Sequence, residues 1–308
     1  MLPIHMSQAT SATKRAPLAL PRWVAYLPLA LLPALVLSSR AALSPWLLMV
    51  ATFFGMYGGF KWLTFWEALR RGARPSLARA AGYLFLFAGT DASSFLDAER
   101  SVAKPEKTEW IRAAIKMSAG LALMFAAARR LSPISPYLGV WLGMIGGVLI
   151  GHFGSFHLLS LAWRRAGVNA QFVMQSPMTS PSLSELWGKR WNIPFRDLVH
   201  RMVFVPLSPH VGPTSAMFAV FFVSGILHEM VVSFPAGAGW GLPTLYFLLQ
   251  GGGVLVERSR TGRRWGLRGG WRGWLFAFAV AALPAPLLFH PPFIFKVGEP
   301  LLRWMGAL

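Results

Sequence analysis

The sequence predicts an all-α, polytopic membrane protein of about seven transmembrane helices, with further interfacial and re-entrant helices beside them. Apolar residues fill 55% of the 308 positions and charged residues only 13%. The mean hydropathy is +0.48. That balance is foreign to soluble globular chains. The apolar residues also gather into runs that approach the ~20 residues a helix needs to cross a bilayer, and the cations gather between those runs.

Taken in order, the candidate spans are Trp23–Ser38, Ala42–Phe60, Ile111–Ala127, Tyr137–Trp163, Thr214–Phe234, Trp240–Val256 and Trp271–Phe289. Trp23, Trp46, Tyr137, Trp163, Trp240 and Trp271 stand near their ends, as an interfacial aromatic belt requires. The run Ala80–Gly89 is too short to span and reads as a re-entrant or interfacial piece. Residues 1–22 read as a cytoplasmic tail carrying Lys14, Arg15 and Arg22. No small-residue cleavage site is evident after it, so the first apolar run is expected to be retained as an anchor. Residues 23–308 are then expected to form a single membrane-embedded domain.

A net charge of +19 suggests a nucleic-acid binder at first sight, but the distribution argues against one. With the N-terminus placed in the cytoplasm, all but five of the 30 Lys and Arg residues fall on the cytoplasmic side, the exceptions being Arg40, Arg129, Arg130, Lys296 and Arg303. The cytoplasmic clusters are the tail, Lys61–Lys116, Arg164–Arg201 and Arg258–Arg272. This is the positive-inside bias of a membrane protein, and nucleic acid is not an expected partner. The absence of cysteine excludes disulfides and thiolate metal sites. The Arg, Ala and Gly content favours a bacterial inner membrane, with the endoplasmic reticulum the expected location in a eukaryote.

Between the fourth and fifth spans, Pro194 can open a helix whose Phe195, Leu198, Val199, Met202 and Val203 share one face. It is expected to lie on the cytoplasmic leaflet and to bring the residues before it down to the bilayer surface.

Within the fifth span, His228 and Glu229 stand side by side in an apolar run. Ionisable groups at that depth cost about 2.5–3.5 kcal/mol on insertion scales and by default mark a working site. A neutral imidazole lowers that cost and is what a general base requires. The plainer alternative is a structural histidine with Glu229 pairing a loop arginine. Ser224 and Gly225, one turn earlier, are expected to leave room for a substrate, and Glu229 to anchor the helix or orient the ring. A zinc-protease reading fails because its second histidine would have to stand where Val232 is. Gly251–Gly253 is expected to serve a close helix crossing. His152 and His157, five apart in the fourth span, are expected to be structural.

A second constellation is Leu186-Trp-Gly-Lys-Arg-Trp-Asn192. Trp187 and Trp191 with Lys189 and Arg190 between them describe an interfacial anchor in which cation–π stacking can form. Asn192 carries an amide able to donate to an oxyanion. By itself, however, it reads as a turn residue ahead of Pro194.

The two constellations together, with Pro181-Ser-Leu183 before them and Glu257 after, resemble the wax synthase domain of plant-type long-chain-alcohol O-fatty-acyltransferases, within the membrane-bound O-acyltransferase superfamily. Ala88-Gly-Thr-Asp-Ala92 and Leu283–Phe293 are similar to further elements of that family, and the resemblance covers residues 176–293. Lys189 stands where Arg is usual and Leu186 where Phe is common. The resemblance implies an internal tunnel in which His228 and Asn192 are catalytic, with Trp187, Lys189, Arg190, Trp191, Ser224, Gly225 and Glu229 around the substrates. It implies transfer from acyl-CoA, as co-substrate, to a lipophilic alcohol within the bilayer, with no metal or tightly bound cofactor. Other classes to weigh are a proton-coupled transporter with His228 and Glu229 as relay, an O-acetyltransferase of secondary metabolites, and an inactive structural membrane protein.

Overall fold

A computed structural model describes residues 21–99 and 102–308, so the expected tail lies outside the described residues up to Leu20. The described chain is helical, with no strand among its residues. Its long elements are α1 (Leu27–Ser38), α2 (Pro45–Arg70), α3 (Leu77–Leu86), α4 (Ala92–Leu96), α5 (Lys107–Leu131) and α6 (Pro136–Arg165). They continue with α7 (183–190), α8 (Ile193–Ala236), α9 (Leu242–Arg258), α10 (Gly270–Leu288) and α11 (291–304). Each expected span falls largely on a helix. Among the described residues four of them, α5, α6, α8 and α10, are long and apolar enough to cross a membrane, so the molecule is a helical membrane protein.

Two boundaries differ from expectation. α2 continues ten residues past Phe60, which takes Lys61 out of the cytoplasmic loop and into the helix, where it is 2% exposed. Its Nζ donates to the carbonyls of Phe87 (3.1 Å) and Gly89 (2.8 Å) and lies 3.4 Å from the centroid of the Tyr83 ring. The Tyr57 hydroxyl donates to the Phe87 carbonyl as well. The expected re-entrant piece, Ala80–Gly89, lies on α3 as far as Leu86 and then leaves the helix over 87–91, and backbone of that kind is tolerated at depth only where protein satisfies it. That explains a lysine inside an otherwise apolar helix.

The second difference concerns α8. The expected amphipathic helix and the fifth span form one run, broken at Gly212 (φ 80°, ψ 159°) ahead of Pro213. The apolar face does not simply rest on lipid. Leu198 and Val199 are buried, Leu198 packs with Leu63 and Trp66 of α2, and the Phe195 ring meets Phe60 edge-on at 6.0 Å. A protein surface was available to cover that face, and it removes the same apolar area from water.

The core that positions the site lies where α7, α8, α9 and α10 converge, around Leu183, Leu186, Phe221, Phe247, Val254 and Ala277. As expected, Gly251 and Gly253 of α9 permit close crossing, though Gly252 faces open space: a Cβ on Gly253 would meet Leu183 and Val280 side chains at 2.7 Å. A second core joins α5, α6 and the end of α8 to α11 through Met124, Val140, Val232 and Val297.

Candidate active site

His228 is the last α-helical residue before a π turn over Glu229–Ser233. Such turns recur at functional sites because the extra residue re-aims neighbouring side chains. The imidazole Nδ1 lies 2.7 Å from the Ser224 carbonyl. A carbonyl only accepts, so Nδ1 carries the proton, and the neutral ring presents its lone pair at Nε2. Among the described residues Nε2 has no hydrogen-bond partner. The ring is partly buried and packs 4.5 Å from the Phe247 ring of α9.

Glu229 is 6% exposed. Its Oε1 accepts from the backbone N–H of Gly241 and of Thr244 at 3.0 Å each, and from the Thr244 hydroxyl at 2.9 Å. It therefore caps the N-terminus of α9, where unpaired N–H groups and the helix dipole favour an anion. This is an anchoring contact, and no arginine among the described residues takes part. At the far end of α9, buried Glu257 does the same for α7, accepting from the N–H of Leu183 and of Ser184. Between them, fully buried Gln250 accepts from Trp187 Nε1 at 3.2 Å and donates to the Val280 carbonyl at 2.9 Å. α9 is thus a spine: Glu229 ties the His228 helix end to its start, and its own Gln250 and Glu257 fix Trp187 and the start of α7. Sequence reasoning passed over Gln250 and Phe247. A lone amide inside an apolar run was the available signal for Gln250; Phe247 looked like any core aromatic.

Asn192 follows the π turn Leu186–Arg190 and precedes the first turn of α8. Its φ of 40° and ψ of 56° are left-handed, a conformation that asparagine adopts more readily than other residues with a side chain. Asparagine ahead of a helix normally caps it, yet this side chain makes no cap hydrogen bond. Its amide is left over for something else. The backbone is held instead: Asn192 N–H points to Met174 Sδ (3.2 Å), Ile193 N–H to the Val173 carbonyl (3.0 Å) and Gln175 N–H to the Arg190 carbonyl (2.9 Å). Trp191 packs on Trp187 (6.2 Å between ring centroids), Trp187 on Phe247 (6.0 Å) and Phe247 on His228 (4.5 Å). A continuous run of rings therefore joins the two constellations.

Several expected substrate contacts are otherwise engaged. Arg190 is committed to the chain itself. It pairs with Glu185 (2.6 Å) and donates to the Ser176 carbonyl and the Thr179 hydroxyl. The room expected beside Ser224 and Gly225 is filled: a Cβ on Gly225 would lie 2.7 Å from Thr244 Cα, and the Ser224 hydroxyl bonds to the Val220 carbonyl. Neither Trp187 nor Trp191 forms a cation–π contact among the described residues. Lys189 remains exposed.

The same stretch is where this chain resembles known proteins. Residues 170–249 match the Membrane bound O-acyl transferase family. Over that stretch the chain resembles this family. It is 31% identical over 134 residues to probable long-chain-alcohol O-fatty-acyltransferase 7 of Arabidopsis thaliana, covering 38% of each chain. Over 62 residues it is 34% identical to acyl-CoA–sterol O-acyltransferase 1 of the same plant, covering 18% of each chain. A probable sterol O-acyltransferase 2 of Schizosaccharomyces pombe (strain 972 / ATCC 24843) is 29% identical over 101 residues, 33% of this chain and 21% of that one. The similarity to these curated relatives thus spans less than two fifths of their length. It contains both Asn192 and His228 in the family match.

Proposed function

We propose that this chain is a membrane-embedded O-acyltransferase that moves an acyl group from acyl-CoA to the hydroxyl of a lipophilic alcohol, with long-chain alcohols and sterols as the acceptor classes. One observation carries the reading: the Nδ1 proton of His228 is taken by the Ser224 carbonyl, which leaves Nε2 as a base in an apolar setting. His228 Nε2 takes the proton of the alcohol, whose oxygen attacks the thioester carbonyl carbon. The carbonyl oxygen gains negative charge, and the uncommitted amide of Asn192 donates to it. Collapse breaks the carbon–sulfur bond, and the proton on His228 passes to the departing thiolate. Ester and free CoA result, with base and amide as they began. An apolar surround keeps water from competing with the alcohol.

Exposed Lys189 and the basic stretch from Arg258 to Arg272 suit the phosphates of CoA. The test is to incubate membranes containing the protein with labelled acyl-CoA and a panel of long-chain alcohols, sterols and small hydroxyl compounds, then identify products by mass spectrometry. Ester formation that disappears in His228→Ala at equal protein level is the expected result. Parental ester formation by that variant would end the proposal.

A further inference from the structure

Asn192 sits in a left-handed backbone conformation held by hydrogen bonds from distant chain, and the outermost post of that frame is a second histidine. His157 of α6 is 9% exposed, and both of its ring nitrogens lie 3.1 Å from carbonyl oxygens: Nδ1 from Phe153, one turn back on its own helix, and Nε2 from Met174. Met174 is the residue whose sulfur receives the Asn192 N–H, and its neighbours Val173 and Gln175 bond to Ile193 and Arg190. Residues 173–175 therefore lie between His157 and Asn192 as a strip laced on both sides. Phe172, edge-on to His157 at 4.5 Å, closes the packing.

A neutral imidazole has one N–H and both facing carbonyls only accept, so His157 donates to one of the two. We infer that His157 is a positioning residue for Asn192, with its proton on Nε2: donated to the Met174 carbonyl, that proton sets the sulfur and the strip that keep Asn192 left-handed and its amide free. This inference rests on the reading of Asn192 as the oxyanion donor. A plain core histidine would satisfy its nitrogens anywhere. This one spends Nε2 on the backbone of the one residue that anchors Asn192 through its sulfur, and no side chain of α8 or α9 takes part. A glutamine at 157 can still offer an N–H toward Met174, whereas a phenylalanine keeps the ring packing against Phe172 and offers nothing.

The test compares His157→Phe, His157→Gln, Asn192→Ala and the His157→Phe/Asn192→Ala double variant in membranes at equal protein level, assayed with palmitoyl-CoA and hexadecanol or whichever acyl-CoA and alcohol the parent esterifies faster. Misplacing a catalytic group by about an ångström can cost ~10²-fold. His157→Phe is accordingly expected to lower kcat by about ten- to a hundredfold with KM for acyl-CoA within about twofold, and His157→Gln to recover most of the loss. In the Asn192→Ala background the same phenylalanine is expected to cost less than about twofold, because the group it positions is gone. Parental kcat in His157→Phe, a loss that glutamine does not repair, or an equal loss in both backgrounds would each overturn the inference. If Asn192→Ala itself works at the parental rate, it is the oxyanion reading that fails, a separate outcome. Should the phenylalanine variant not accumulate, the glutamine variant decides: near-parental kcat supports the inference and a hundredfold loss refutes it.

Discussion

The two constellations pair a charged residue with a neutral one, and in both the division of labour is the same. Towards the end of α8, Oε1 of Glu229 is taken by the N-terminus of α9 while neighbouring His228 keeps Nε2 unpartnered among the described residues. At the end of α7, Arg190 is consumed by Glu185, Ser176 and Thr179, while Asn192 keeps its side-chain amide out of the helix cap. The difference lies in what supports each free group. His228 is oriented by its own helix, through a carbonyl four residues back. Asn192 is oriented by distant chain, through Met174 and the strip beyond it. Charge at this depth demands partners, so it builds the frame, and the groups left for chemistry are those that can stay uncharged.

The sharpest way to break that comparison is to remove the free groups. His228→Ala should lower kcat by about 10²–10⁴-fold without loss of folded protein. Asn192→Ala should cost about 2.7–4 kcal/mol in transition-state stabilisation, read from kcat/KM. If Glu229→Gln rather than His228→Ala abolishes turnover while the melting temperature is unchanged, the assignment of roles is reversed.

Next in size come the frame residues. Glu229→Ala strands the N–H groups of Gly241 and Thr244, at ~1–3 kcal/mol for each buried donor left unmade. A lower melting temperature of the detergent-solubilised protein should report it, and Glu229→Gln should lose less because an acceptor oxygen remains. Gln250→Leu should show a smaller loss of about 1–2 kcal/mol, since Trp187 Nε1 and the Val280 carbonyl lose one partner. The last comparison is between the two motif cations. Lys189→Ala should leave stability within about 0.5 kcal/mol and raise KM for acyl-CoA in a salt-dependent way. Arg190→Ala should lower stability by about 1.5–3 kcal/mol through its charged hydrogen bonds. Equal behaviour of the two would show that Arg190 is not the structural member of the pair.

Much of this architecture is visible in the sequence because lipid leaves few choices. A run of apolar residues at membrane depth must be helix, since no water is present to satisfy its backbone. The helices and the polar residues within them can accordingly be read from composition and spacing. His228 stands out for that reason, as an ionisable group among Phe, Val, Ile and Leu. Lys61 escaped the same logic because it follows directly on Gly58, Gly59 and Phe60, where the end of an apolar run looks like the end of a span. Only the fold shows that stretch 87–91 has unpaired carbonyls in need of it.

What the sequence by itself determined is the class of the molecule and the identity of its two unusual polar pairs, because hydrophobic period and charge placement are local properties of the chain. Which member of each pair is free was decided only by tertiary structure. Hydrogen-bond partners such as Gly241 for Glu229, or Ser176 for Arg190, are brought together by helix packing across 12 and 14 positions of sequence. Spacing carries no trace of such a meeting: a side chain's availability depends on every donor and acceptor that the fold delivers to it.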